Sequence, residues 1–144
     1  MGGMVIFIIV LLFLLKGLMD DIYHRSVKDV WTLGLVVIIM VLNHADILPH
    51  GTGLIIGSMV GYLGFHRKWW GGADMKLMMA MGAYFGYPGW QLPLFLIILP
   101  IMLCIQKELY IRWLRLIQKE YIYQRVGIPA FLSFMLAFLV VHLF

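Results

Sequence analysis

The sequence predicts an all-α, polytopic membrane protein of about six transmembrane helices with one cytoplasmic amphipathic helix. Three observations lead there. Of the 144 residues, 63% are hydrophobic and only 12% charged, with a mean hydropathy of +0.96. A soluble domain carries about a quarter charged residues, so this chain cannot cover itself with polar surface. The apolar residues fall into six runs separated by short polar segments. Lys and Arg gather in alternate segments, as membrane topology requires.

The length suits a single membrane-embedded domain over residues 1–144. Met4 to Met19 is the first run. Its charges follow the apolar core rather than precede it, which predicts a retained first helix and not a cleaved signal. It ends at the segment Asp20 to Asp29. Trp31 to Leu42 is the second run, and Asn43 to Pro49-His50 reads as a turn. Gly51 to Phe65 is the third, with a glycine content that permits close helix packing. Met75 to Tyr84 is the fourth, followed by a turn at Gly86-Tyr87-Pro88-Gly89-Trp90-Gln91. Leu92 to Ile105 is the fifth, with Pro93 in its first turn and Pro100 as a kink. Gly127 to Phe144 is the sixth. Flanking Trp, Tyr, Lys and Arg extend these short runs into the headgroups.

With the N-terminus outside, the inner segments are 20–29, 66–74 and 106–126. They hold nine of the eleven Lys and Arg: Arg25, Lys28, Arg67, Lys68, Lys107, Arg112, Arg115, Lys119 and Arg125. The outer turns, 43–50 and 86–91, hold none. The positive-inside pattern places Asp20, Asp21 and Asp74 on one, cytoplasmic, face. The net charge of +4 therefore speaks to topology and membrane lipid, not to nucleic acid. Gln106 to Arg125 carries Leu109, Trp113, Leu116 and Ile117 on one helical face and Arg112, Arg115 and Lys119 on another. It reads as a basic amphipathic helix, lying on the inner leaflet or prolonging helix five.

The single cysteine, Cys104, reads as a small apolar packing residue. His24 and His66 flank the acidic segments without metal-ligand spacing, so no metal and no cofactor is expected. Met75, Met78, Met79 and Met81 read as flexible packing. Asp29 and Asp46 read as helix-start or turn residues.

Carboxylates at membrane depth are costly and mark function. Asp20-Asp21 ends helix one, and Asp74 opens helix four, where an N-cap is its plainest role. Two carboxylates brought together can act as base on water and acid on a carbonyl, without metal. The helix dipoles favour an ionised Asp74 as the initial base and a protonated Asp21 as the initial acid. Lys76 and Arg25 weaken that bias.

Gly71-Gly72-Ala73-Asp74-Met75-Lys76-Leu77, running on to Gly86, resembles the second signature of type IV prepilin peptidases, Gly-x-Gly-Asp-x-Lys-Leu before an Ala-rich helix. Asp21-Ile22-Tyr23-His24-Arg25-Ser26-Val27 is similar to the first signature, which selects Asp21 over Asp20. Ala73 replaces the second glycine, as in archaeal preflagellin peptidases, and Lys28-Asp29 replaces Pro-Asn. The resemblance spans Asp21 to about Gly89. It implies a cytoplasmic-side endopeptidase of a prokaryotic plasma membrane that cuts pilin-like precursors before their hydrophobic segment. Asp21 and Asp74 would be catalytic, and Gly71, Gly72, Ala73, Lys76 and Arg25 would support the site. The chain looks like the small, peptidase-only form of tight-adherence pilus systems and archaea. The alternative class, a transporter or proton relay using the same acids, expects them near the bilayer midplane.

Overall fold

Apolar runs separated by glycine and proline fold into six α-helices in the computed structural model, which describes residues 2–24, 29–69, 71–116 and 131–143. They are α1 (Gly2–His24), α2 (Asp29–Leu42), α3 (Ile47–His66), α4 (Gly72–Phe85), α5 (Gln91–Leu116) and α6 (Phe131–Leu143). A single 3-10 turn, His44–Asp46, joins α2 to α3. There is no strand among the described residues. The protein is a helical membrane protein.

Several boundaries differ from the sequence reading. α1 does not stop at Asp20 but runs one more turn, to His24. The turn expected at 43–50 is shorter, because α3 begins at Ile47. Pro49 is tolerated there since first-turn N–H groups have no intrahelical partner to lose. α5 runs unbroken through Pro100 to Leu116, so the first half of the expected amphipathic segment is a continuation of α5. Its second half, and residues 127–130 of the sixth run, lie outside the described residues. Cys104 is exposed on α5 and packs in no core.

Six helices do not amount to six full spans. Two are long and apolar enough to cross a bilayer, at Gly3–Asp20 and Gln91–Trp113. The α2 and α3 segments are long and apolar enough only together, across an 82° bend. α4 has 14 residues and α6 has 13, or about 20 Å at about 1.5 Å per residue, against a hydrocarbon core of about 30 Å.

The tightest contact is between antiparallel α3 and α4, where glycines remove the side chains that would hold two helices apart. Gly53, Gly57, Gly61 and Gly64 form the buried face of α3. A Cβ on Gly53 would stand 2.7 Å from Gly86 Cα, and one on Gly61 2.8 Å from the Met75 carbonyl oxygen. A Cβ on Gly82 would lie 2.9 Å from Gly57 Cα. The chain leaves α4 through Gly86, whose φ of 67° lies in the region an L side chain rarely adopts. The Tyr87 N–H then donates to the Pro49 carbonyl at 2.9 Å, tying that turn to the start of α3.

The remaining helices close around this pair. α2 packs on α4, and α6 packs on α5 and α1. Val10, Leu14, Leu35, Ile39, Met78, Met81, Phe95, Phe134 and Phe138 are fully or almost fully buried at the shared core. The Phe131 ring lies over Gly17, so a side chain at 17 would collide with it. Ser133 on α6 donates a hydrogen bond to Gln106 Oε1 on α5.

The glycine contact makes a sharp prediction. Gly57→Leu must push apart two backbones and is expected to destabilise the protein by at least about 1–3 kcal/mol. Gly34→Leu is the control, because a Cβ at Gly34 meets nothing within 4 Å. Thermal unfolding in detergent should show a lowered Tm for the first variant and an unchanged one for the second.

Candidate active site

α4 starts two residues earlier than Asp74, and this changes what the carboxylate does. The N-cap is Gly71, with extended backbone at φ −85° and ψ 177°. Asp74 is the third helical residue, not the cap the sequence suggested. Its Oδ2 accepts the Gly71 N–H at 3.0 Å, which is half of a capping box. The Met75 N–H donates to the Gly71 carbonyl at 3.1 Å and closes the first turn. Asp74 is half-buried, so its carboxylate is held by backbone yet reachable. Gly71 and Gly72 are exposed and Ala73 half-buried, leaving little bulk above the carboxylate. Lys76 is half-buried in the same turn.

The facing element is the end of α1. Asp20 lines a narrow crevice with Lys16 and Gly17 of α1, Trp31 and Thr32 of α2, Leu77 of α4 and Phe131 of α6. Leu77 lies one helical turn beyond Asp74. The acidic end of α1 and the start of α4 therefore share one end of the bundle. Lys16 Nζ sits 3.8 Å from the Trp31 ring centroid, a cation–π contact that holds α2 to α1 at this level. Asp21 belongs to the last turn of α1, but its side chain lies outside the described residues, as does all of Arg25. Asp20 is the acidic side chain of α1 that is seen facing α4.

The cations gather at the same end. Arg67 and Lys68 follow α3, and the ring of Phe65 beside them lies 4.0 Å from where a Gly72 side chain would begin. Lys107 and Arg112 lie on α5 beyond Gln106, which bonds Ser133 two residues from Phe131. The opposite end, with Asn43, His50, Tyr84 and Gln91, has no Lys or Arg in residues 43–50 or 86–91.

No group of three or more His, Cys, Asp or Glu side chains is placed to hold a metal among the described residues. His66 is exposed, its ring 6.1 Å from that of Tyr62. Met78 and Met81 are wholly buried, in keeping with packing.

A family model described as the type IV leader peptidase family matches residues 3–106. The match covers most of the chain, including α1, α4 and both acidic sites. The chain belongs to the type IV leader peptidase family. No curated protein and no solved structure matches it. The peptidase thus carries the half-buried Asp74, fixed at N3 of α4, within the region that defines its family.

Sequence reasoning missed a second set of polar residues, at the opposite end. Tyr84 Oη and His142 Nε2 are 2.7 Å apart, and His50 Nδ1 lies 2.6 Å from the Ala83 carbonyl oxygen. These four residues come from α3, α4 and α6 and form no motif.

Capping and chemistry at Asp74 can be separated. Asp74→Asn keeps an acceptor for the Gly71 N–H and should leave stability within about 0.5 kcal/mol, whereas Asp74→Leu should cost about 1 kcal/mol. Chemical unfolding of both variants in detergent checks the difference, and any loss of activity common to both then belongs to the ionisable group.

Proposed function

We propose that this peptidase is a membrane aspartic endopeptidase that removes the leader of pilin-like precursors, cutting before their hydrophobic segment. The observation that carries the reading is the backbone-anchored carboxylate of Asp74 at the same end of the bundle as the acidic last turns of α1. Asp21 is the second member of the pair, chosen by its resemblance to the first signature of prepilin peptidases. The clustering of Lys and Arg at this end supports a cytoplasmic active site in a prokaryotic plasma membrane. All six helices are taken as embedded, the short ones with locally thinned bilayer around them.

The ionised carboxylate, Asp74, takes a proton from a water molecule, and the resulting hydroxide attacks the scissile carbonyl carbon. The protonated carboxyl, Asp21, donates to the carbonyl oxygen as charge develops there. Collapse of the tetrahedral intermediate breaks the C–N bond: the leaving amine takes the proton held by Asp74, and a hydroxyl of the intermediate returns its proton to Asp21 as the carbonyl re-forms. The anchored Gly71 N–H keeps Asp74 in one orientation through this cycle. The small residues Gly71, Gly72 and Ala73 admit an extended substrate backbone close to the carboxylate, with Lys76 and Arg25 supplying positive charge nearby.

Cleavage of a pilin-type precursor by the purified protein in lipid, with chelator present, tests the reading. Asp21→Asn and Asp74→Asn are each expected to lower kcat by at least about 10²–10⁴-fold, while Asp20→Asn leaves it near wild type. Survival of cleavage in Asp21→Asn, with loss in Asp20→Asn, would move the acid role to Asp20. Failure of the wild-type protein to cut any such precursor would sink the substrate assignment.

A further inference from the structure

The end of the bundle away from Asp74 holds a cavity of about 500 Å³, in the range of small-molecule sites. Its polar side chains are Asn43, His50, Tyr84, Gln91 and His142. Met4, Ile6, Phe7 and Phe85 supply apolar wall. Among the described residues, no Asp, Glu, Lys or Arg lines it.

The hydrogen-bond network fixes what the walls still offer. Asn43 Nδ2 donates to the Ile39 carbonyl at 2.9 Å, which leaves its second N–H as a donor and Oδ1 as an acceptor, and the Gln91 amide offers both as well. His50 Nδ1 faces the Ala83 carbonyl at 2.6 Å. A carbonyl only accepts, so Nδ1 carries the hydrogen and Nε2 of the neutral ring is an acceptor. His142 also hydrogen-bonds the backbone of Phe138, and its Nε2 and Tyr84 Oη, 2.7 Å apart, satisfy each other. The described lining is thus uncharged and offers both donors and acceptors, and it calls for uncharged groups that can donate and accept hydrogen bonds. A head bearing hydroxyls meets that description.

An apolar path leads out of it. Met4, Ile8 and Leu12 follow one another at one-turn spacing along α1, 70%, 48% and 59% exposed. A chain laid along this ridge begins where Met4 lines the cavity. We propose that the cavity binds the hydroxyl-bearing headgroup of a membrane lipid, with an acyl chain along the Met4–Ile8–Leu12 ridge.

The test is retention of lipid by the full chain in native mass spectrometry after transfer from vesicles. The vesicles carry phosphatidylglycerol, phosphatidic acid or phosphatidylcholine with identical chains. Phosphatidylglycerol is expected to be retained at least about tenfold over the other two. Gly3 lines the cavity, and a Cβ there meets nothing within 4 Å, so Gly3→Phe sets a bulky side chain at the cavity wall from an open position. It should reduce phosphatidylglycerol to the level of phosphatidylcholine at unchanged Tm, and Asn43→Leu should do the same. Equal retention of phosphatidic acid and phosphatidylglycerol would overturn the proposal, as charge alone would account for binding. So would retention unaffected by Gly3→Phe, or displacement by free glycerol at matched concentration, which would make this a polyol site. None of these readouts depends on peptide cleavage.

Discussion

The backbone-to-backbone contact of α3 with α4 is the constraint on which the rest of the structure depends. Gly53, Gly57 and Gly61 on one face of α3 meet Met75, Met78 and Gly82 of α4 and Gly86 just after it at distances that exclude even a methyl group. Lipid chains are as apolar as the side chains of these helices, so burial from water does little to choose between partners within the membrane. Close packing and backbone approach do choose, and glycine provides both. Polar bonds lock the far end of this pair, where the Tyr87 N–H meets the Pro49 carbonyl and His50 meets Ala83. Once α4 is held in this way, Asp74 at its first turn and Tyr84 at its last are placed as well.

The bundle consequently has two unlike ends. At one, the last turns of α1 carry Asp20-Asp21, the first turn of α4 carries Asp74, and Lys16, Arg67, Lys68, Lys76, Lys107 and Arg112 are gathered. At the other, neutral hydrogen-bonding groups line a cavity. α1 and α4 run antiparallel between them, as Asp20 with Leu77 and Phe7 with Tyr84 attest. The aromatic cluster of Phe7, Phe138 and Phe85 packs beside this cavity. For a membrane peptidase, this separation keeps the cost of charged groups to one boundary of the bilayer.

Much of the helix layout was legible because each apolar run is a local signal. Even so, boundaries moved where tertiary contacts or tolerant first turns overrode composition. α1 continues through two aspartates, α3 admits Pro49, and α5 continues through Pro100. Asp74 was legible as a residue of the first turn of a helix, but its register was not. Two small residues, Gly72 and Ala73, enter the helix ahead of it, and only the observed Gly71 N–H bond identifies it as the third position. Cys104 was misread because an apolar run has a lipid-facing side as well as a core side, and composition does not separate them.

The sequence by itself determined the class of protein, the sharing of charge between its polar segments, and the Gly71–Leu77 stretch that resembles a prepilin peptidase signature. Those properties are carried by residues adjacent in the chain or repeated at helical spacing, so no folding is needed to read them. Only the tertiary structure decided which helices pair and that Asp20 shares a crevice with Leu77. It alone decided that positions 43, 50, 84, 91 and 142 meet around one cavity. Such residues are distant in sequence, each is an ordinary turn or helix-end residue where it stands, and their chemistry exists only after α3 and α4 have closed on their glycines.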